Sequence, residues 1–228
     1  HRIGLVVNIE PKYAASDSLD DLAARERAES YMNRLFIEPI IAGTWPQPLI
    51  ETMGETAWRD VLEESTTPLQ ERIDWLGVNY YSRNVVRHKP GGFLNTESVR
   101  QASVHTEMGW EVYPQGLTDT LLWLHKQTHG LPLYVTENGA AFDDPPLVNG
   151  RVADTARVDY LREHLHAAAR AIEQGVNLRG YFAWSLLDNF EWQFGYSKRF
   201  GLVHVDPSTQ KRTLKDSALF FAEVCQSR

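Results

Sequence analysis

The chain has 228 residues, of which 43% are hydrophobic and 23% charged, and its formal net charge is −7. This is ordinary globular composition, and the acidic balance argues against nucleic acid or anionic membranes as partners, because their phosphates would repel the chain. The chain has no apolar run long enough to cross a membrane and a single cysteine, which cannot form an internal disulfide, so we expect a cytoplasmic protein.

Predicted strands and helices alternate four times along the chain. Apolar runs rich in β-branched residues predict buried strands, and longer segments with apolar residues every three or four positions predict helices. The predicted strands cover residues 3–8, 73–79, 131–136 and 178–187, and the predicted helices cover residues 20–40, 115–129, 154–174 and 214–225. Such alternation predicts an α/β fold with a parallel sheet and crossover helices.

The long loops of this pattern follow strands, and the short loops follow helices. Residues 80–114 form one predicted loop rich in Gly, Ser, Thr and Asn, and residues 189–200 form another that carries five aromatic residues. The functional groups should therefore lie at the carboxyl ends of the strands, where α/β folds keep their sites. Four strand–helix units are consistent with a small open sheet or with half of an eight-unit barrel.

A carboxylate ends the third predicted strand, in the segment Thr136-Glu137-Asn138-Gly139. Cleavage of a glycosidic bond with retention needs one carboxylate that attacks the anomeric carbon and a second, roughly 5–5.5 Å away, that protonates the leaving oxygen. A rigid strand end suits the attacking group, because a misplacement of about 1 Å can cost about 100-fold in rate. The alternative is an exposed glutamate that caps the next helix.

An aromatic run with three polar groups follows the fourth predicted strand, from Trp184 to Tyr196. The polar groups are Asp188, Asn189 and Glu191. A carboxylate between indole rings can accept the hydroxyls of a sugar while a ring stacks on the apolar face of that sugar. The alternative is a buried aromatic core with a salt-bridged glutamate, which three polar groups at a strand end make less favourable.

Five segments of the chain, taken together, resemble glycoside hydrolase family 1, the β-glucosidase and β-galactosidase family. They are residues 77–81 (GVNYY), 109–114 (GWEVYP), 136–139 (TENG), 184–192 (WSLLDNFEW) and 200–202 (FGL). Their order and spacing fit the family, and the resemblance covers essentially the whole chain. It implies a (β/α)8 TIM barrel that uses no metal and no organic cofactor.

The resemblance also implies roles for particular residues. Glu137 would be the nucleophile, and Tyr81 would donate a hydrogen bond that keeps its carboxylate ionised and oriented. Glu191 would accept two sugar hydroxyls of a β-glucoside or oligosaccharide, and Trp192 would donate to one of them. The remaining implied contacts are Trp184 as the platform under the sugar ring, Asn79 in the same pocket, and Trp110, Phe200 and Asn8 at the entrance.

One element of the family is missing from this sequence. The family's acid/base is a glutamate in an Asn-Glu-Pro motif at the end of the fourth barrel strand, and the chain has no such motif. In the near match Asn8-Ile9-Glu10-Pro11, the extra residue turns Glu10 to the other face of the strand. The four strands here would then be barrel strands five to eight, and residues 1–228 would be the C-terminal half of one catalytic domain.

The sequence therefore predicts a retaining β-glycosidase of the β-glucosidase type, acting on terminal non-reducing β-D-glycosyl residues, whose acid/base comes from an N-terminal half. That half is either a separate chain or the remainder of one polypeptide, and we expect this chain to be inactive alone. The alternatives are a non-catalytic sugar-binding half-barrel, a half-barrel that pairs with itself, and a related barrel family. The sequence leaves the preference among glucose, galactose and fucose open.

Overall fold

The computed structural model describes residues 1–63 and 73–227. The elements, in chain order, are β1 (Gly4–Asn8), β2 (Lys12–Ala14), α1 (Leu19–Glu29), the π segment (Ser30–Arg34), α2 (Leu35–Ile41), α3 (Gln47–Met53), α4 (Glu55–Glu63), β3 (Trp75–Asn79), β4 (Asn84–His88), a 3₁₀ turn (Phe93–Asn95), β5 (Thr96–Ser98), α5 (Pro114–Gln127), β6 (Leu133–Asn138), α6 (Thr155–Glu173), β7 (Leu178–Ala183), a 3₁₀ turn (Trp192–Phe194), β8 (Val203–Val205), β9 (Arg212–Leu214) and α7 (Asp216–Gln226).

A four-stranded parallel sheet lies at the centre of the fold. Its order is β1-β3-β6-β7, and each strand is hydrogen-bonded to its neighbour in parallel register. The prediction of an α/β fold with a parallel sheet is therefore confirmed. Within the described residues, β1 and β7 each have one neighbour in this sheet, so both edges of the sheet are open.

The outer face of the sheet packs against two helices. Strand side chains alternate between the two faces, and Leu76, Val78, Leu133 and Val135 point outward and are fully buried. They pack against leucines of α5 and alanines of α6 in the largest core cluster. Burial of each such side chain contributes about 1.5–3 kcal/mol, and this layer fixes the strands that carry the candidate site.

The inner face of the same sheet is much less buried. Val6 on β1 is 49% exposed, and Phe182 on β7 is 57% exposed. The side chains near the middle of this face are closely packed, since a Cβ at Gly77 would lie 2.7 Å from Thr136. The sheet therefore presents an apolar, partly open surface on the side away from its helices.

The structure differs from the sequence prediction mainly in the segments that were predicted as loops. The predicted loop 80–114 contains β4 and β5, which form a second small sheet with β2. Helices α3 and α4 lie between the first predicted helix and the second predicted strand. Strands β8 and β9 form an antiparallel hairpin between the fourth predicted strand and the last predicted helix. These strands have three to five residues, which is too short for hydrophobic periodicity to reveal.

None of the helices in the described ranges combines the length and the apolar composition that a membrane span requires.

Candidate active site

The carboxyl ends of the central strands bring Glu137 and Tyr81 together. Glu137 lies near the end of β6, opposite Asn79 of β3, and Tyr81 follows β3 by two residues. The Tyr81 hydroxyl donates a hydrogen bond of 2.5 Å to Oε2 of Glu137. Parallel strands place their carboxyl ends at one edge of a sheet, so two residues that are 56 positions apart in sequence meet there.

Aromatic rings enclose the tyrosine that contacts Glu137. The ring of Tyr81 lies 5.2 Å from that of Trp110 and 6.3 Å from that of Phe200, and these two rings are 6.2 Å apart. Burial, followed by the neighbouring Glu137 carboxylate, raises the pKa of Tyr81 far above its ordinary value. The phenol therefore stays protonated and remains a hydrogen-bond donor to the carboxylate.

The second predicted carboxylate lies in the loop that follows the neighbouring strand. Glu191 lies in the loop after β7, at the N-terminal side of the 3₁₀ turn. Burial raises the pKa of Glu191, and so does the charge of Glu137, whereas a hydrogen bond from Asn189 lowers it. The net result is a pKa above the ordinary value. The charge of Glu137 thus contributes to the electrostatic environment of Glu191, as expected for two carboxylates at the same end of the sheet.

The two predicted tryptophans differ in how firmly they are held. Trp184 is half-buried directly after β7, and its backbone N–H donates to the carbonyl of Asn138 at 2.9 Å. A Cβ at Gly139 would lie 1.8 Å from the Trp184 carbonyl oxygen, so the close approach of these two segments requires glycine there. Trp192 is 79% exposed on the loop.

The two predicted asparagines lie at the same edge of the sheet as Glu137. Asn79 accepts a hydrogen bond of 2.7 Å from the Thr136 hydroxyl. Asn8 ends the edge strand β1, where it is paired with Asn79 and is exposed. All of the predicted site residues are thus on the carboxyl side of the sheet, and Asn8 is at its outer margin.

The near match to the family's acid motif is held in another arrangement. Glu10 exchanges two backbone hydrogen bonds with the buried side chain of Asn33, at 3.1 and 2.9 Å. The Glu10 carboxylate forms an ion pair with Lys12, while Ile9 is buried in the core. These contacts favour the prediction that Glu10 is not the acid/base.

A buried ion network beneath the Glu191 loop was not foreseen from the sequence. Lys215 is fully buried, and its Nζ contacts Asp144 at 2.5 Å and Asp188 at 2.9 Å. Arg199 pairs with Asp188 at 2.8 Å, and Arg157 pairs with Asp144 at 2.7 Å. Burial alone would raise the pKa of Asp188, but Lys215 and Arg199 lower it overall. The sequence alone does not show that a charged residue is buried, because such residues are mostly exposed. The one local indication of this network was the position of Asp188 in the aromatic run.

In the part of the chain that the structure describes, His, Cys, Asp and Glu side chains do not gather in groups of three or more that could hold a metal ion.

The chain is similar to known β-glucosidases over almost its whole length. A family model described as glycosyl hydrolase family 1 matches residues 1–228. β-Glucosidase A of Thermotoga maritima is 41% identical over 227 residues, which cover 99% of this chain and 51% of that protein. A β-glucosidase of Agrobacterium sp. is 42% identical over 226 residues, or 96% of this chain and 48% of that protein.

Solved structures give the same picture. The structure of Thermotoga maritima β-glucosidase in complex with glucoimidazole matches with a TM-score of 0.92 at 40% identity, over 99% of this chain and 51% of that one. The chain thus spans about half the length of the curated relatives it matches.

Proposed function

Since this chain belongs to glycosyl hydrolase family 1, we propose that it is the half of a retaining β-glycosidase that carries barrel strands five to eight and the nucleophile Glu137. The proposal is carried by one observation, the hydrogen bond from the Tyr81 phenol to the Glu137 carboxylate at the mouth of a parallel sheet. The names of the relatives favour a β-glucosidase.

The proposed reaction is a double displacement. Glu137 attacks the anomeric carbon, the bond from that carbon to the leaving oxygen breaks, and the acid/base glutamate of the other half protonates the oxygen. Water then attacks the anomeric carbon of the covalent glycosyl-enzyme while the same glutamate, now ionised, removes a proton from the water. The bond from that carbon to Glu137 breaks, and the Glu137 carboxylate is restored. Tyr81 supports this role because a neutral phenol at 2.5 Å stabilises and orients the attacking carboxylate.

Recognition of the sugar is assigned to the segment after β7. Glu191 would accept two hydroxyls and Trp192 would donate to one, while Trp184 would lie under the apolar face of the ring. The electrostatic effect of Glu137 on the pKa of Glu191 supports the placement of both carboxylates at one end of the sheet. Trp110 and Asn8 would line the entrance, and Asn79 would lie within the pocket. Phe200 was expected at the entrance too, but it is 1% exposed and packs edge-on against Tyr81, so it would support the entrance from behind.

The other half of the barrel is part of the proposal. The sheet has two open edges and a partly exposed inner face, whereas parallel sheets are normally covered on both faces. A second set of four strands, paired with β1 and β7, would close the cylinder and cover that face. It would also bring the acid/base glutamate, which an Asn-Glu-Pro motif would carry.

The experiment traps the covalent intermediate in a completed barrel. The N-terminal part of Thermotoga maritima β-glucosidase A, which this chain does not match, is fused to the N-terminus of this chain. Treatment with a 2-deoxy-2-fluoro β-glucoside should then place the sugar on the peptide that holds Glu137, as read by mass spectrometry. The Glu137→Gln variant is the control and should not be labelled.

Three outcomes would contradict this function. An adduct on another peptide would remove Glu137 from the nucleophile's role. Release of an α-configured first product would exclude retention. A completed barrel that binds aryl β-glucosides without hydrolysing them would favour the alternative, a non-catalytic sugar-binding protein.

A further inference from the structure

The strand that carries Glu137 pairs irregularly with both of its neighbours. The register between β3 and β6 shifts so that Asn79 lies opposite Glu137. The register between β6 and β7 shifts between Val135 and Asn138. Such shifts re-aim side chains and weaken the positional control that a regular ladder provides. The position of Glu137 relative to Tyr81 therefore depends on contacts beyond the two ladders.

The residue after the nucleophile is the centre of such contacts. Asn138 is fully buried, and its amide nitrogen donates to the Tyr80 carbonyl at 2.8 Å and to the Tyr160 hydroxyl at 3.0 Å. Its amide oxygen accepts a hydrogen bond from the Tyr181 hydroxyl. Both amide hydrogens and the amide oxygen are thus engaged, so the backbone next to Glu137 is tied to three other segments.

Tyr160 connects this cluster to the tyrosine that contacts the nucleophile. Its hydroxyl accepts from Asn138 and donates to the backbone carbonyl of Tyr81 at 3.3 Å. The first contact holds the segment of Glu137, and the second holds the segment of the phenol that bonds to Glu137. We infer that Tyr160 is a positioning residue of the proposed glycosidase reaction. By holding both segments, it sets the geometry of the Tyr81–Glu137 hydrogen bond. The inference rests on the proposed function.

Tyr160 is itself held firmly enough for this role. It is 2% exposed on α6, and its ring stacks on that of His164 with centroids 3.9 Å apart. Burial raises the pKa of Tyr160 well above its ordinary value, so the hydroxyl remains a donor throughout the neutral range. A phenol has one hydrogen to donate, and here that hydrogen points at the Tyr81 carbonyl.

Tyr181 provides a matched control within the same cluster. Its hydroxyl also bonds to Asn138, and its side chain is partly buried against the core behind the sheet. Its side-chain hydrogen bond goes to Asn138 rather than to the Tyr81 segment. Tyr181→Phe and Tyr160→Phe each remove one hydroxyl from Asn138. Only Tyr160→Phe also releases the carbonyl of Tyr81.

The test is a double-mutant cycle in the completed barrel, with aryl β-glucoside hydrolysis as the assay. Tyr160→Phe should lower kcat by roughly 10- to 100-fold, with KM changed less than about 2-fold. The acidic limb of its kcat/KM profile should move to higher pH. Tyr81→Phe should move that limb in the same direction. When Tyr81 is already Phe, the same change should lower kcat by less than about 3-fold, because the contact that it positions is gone. Tyr181→Phe keeps the contact to the Tyr81 carbonyl, so it should lower kcat and shift the acidic limb less than Tyr160→Phe does.

An equal kcat loss from Tyr160→Phe in both backgrounds would overturn the inference, as would an unmoved acidic limb. If Tyr160→Phe does not fold, Tyr160→4-aminophenylalanine is the second variant; it keeps a donor toward Tyr81, so a folded variant with a full kcat loss would also overturn it. Failure of the proposed function is distinguishable, because the completed barrel would then be unlabelled and inactive before any change at position 160.

Discussion

The two sides of the candidate site are built in contrasting ways. On the side of the proposed nucleophile, Glu137 lies at a strand end, and the residue beside it, Asn138, is fully buried and hydrogen-bonded on every polar atom of its side chain. On the loop side, Glu191 precedes a single 3₁₀ turn, and the neighbouring Trp192 is 79% exposed. The Glu137 side is held by buried hydrogen bonds behind the sheet, and the Glu191 side is held only at the base of its loop.

This contrast matches the demands of the two proposed tasks. A group that forms a covalent bond must be held within a fraction of an ångström, and a strand end braced by buried tyrosines meets that requirement. A group that accepts sugar hydroxyls tolerates more movement and must let the sugar enter and leave. The ion network of Lys215 holds the base of this loop, because Lys215 and the Gly201 backbone N–H both contact Asp188.

The largest expected effect tests whether that ion network holds the loop side. Lys215→Met would leave Asp144 and Asp188 buried without the cation they share, and loss of one partner of a buried ion pair costs about 3–5 kcal/mol. We expect the midpoint of urea unfolding to fall accordingly. In the completed barrel, KM for a β-glucoside should rise, because the base of the Glu191 loop is released.

Lys211→Met is the control for this prediction. Lys211 is exposed on the β8–β9 turn, and a surface change of this kind costs less than about 0.5 kcal/mol. If the two variants unfold at the same urea concentration, the loop side is not anchored by ions and the contrast drawn above is wrong.

The next effect concerns the acceptor on the loop. Glu191→Gln should lower kcat/KM in the completed barrel by about 10- to 100-fold, because hydrogen bonds to a charged group contribute about 1.5–3 kcal/mol. Burial and the charge of Glu137 raise the pKa of Glu191, so as pH falls its carboxylate is protonated earlier than that of an ordinary glutamate. KM should therefore rise toward acid pH in the parent protein, and that rise should be absent from the variant.

Unlike the change at Lys215, the change at Glu191 should leave the unfolding midpoint almost unaltered, since the side chain lies in a loop and is partly exposed. Glu223→Gln, on the exposed side of α7, is the matched control for kinetics. A KM profile that rises equally at acid pH with and without the Glu191 carboxylate would assign that rise to another group.

The sequence was sufficient to predict the regular part of the fold and the residues at the strand ends. The four central strands were predicted from hydrophobic periodicity, and Glu137 and the run from Trp184 to Tyr196 from their positions after strands, because both are local properties. The roles of the other site residues came from the family resemblance alone. Lys215, Tyr160 and Tyr181 could not be found in this way. Their importance comes from burial next to segments that are distant in sequence, such as the 79 positions between Tyr160 and Tyr81, and no local pattern encodes that proximity.

The smallest expected effect concerns a buried histidine on the Glu137 side of the site. His164 is fully buried against Tyr160, and its Nδ1 contacts the Tyr160 carbonyl at 2.8 Å. Within the described residues, its Nε2 has no hydrogen-bond partner. Burial lowers the pKa of His164 to about 4, whereas an unfolded histidine has a pKa of about 6.5. The same burial that fixes Tyr160 therefore encloses an imidazole that resists protonation.

The sign of the pH effect follows from these two values. As pH falls from about 6.5 toward 4, the unfolded chain binds a proton that the folded chain does not, so the folded state loses stability in that window. Between pH 7 and pH 5 the loss attributable to His164 is about 2 kcal/mol. His164→Phe keeps a ring stacked on Tyr160 and removes the titrating group, so its unfolding free energy should fall less over this interval. His166→Gln, exposed on the same helix, should follow the parent profile. If His164→Phe also follows the parent profile, the loss of stability at acid pH comes from other groups. The folded state would then allow His164 to be protonated more readily than its burial indicates.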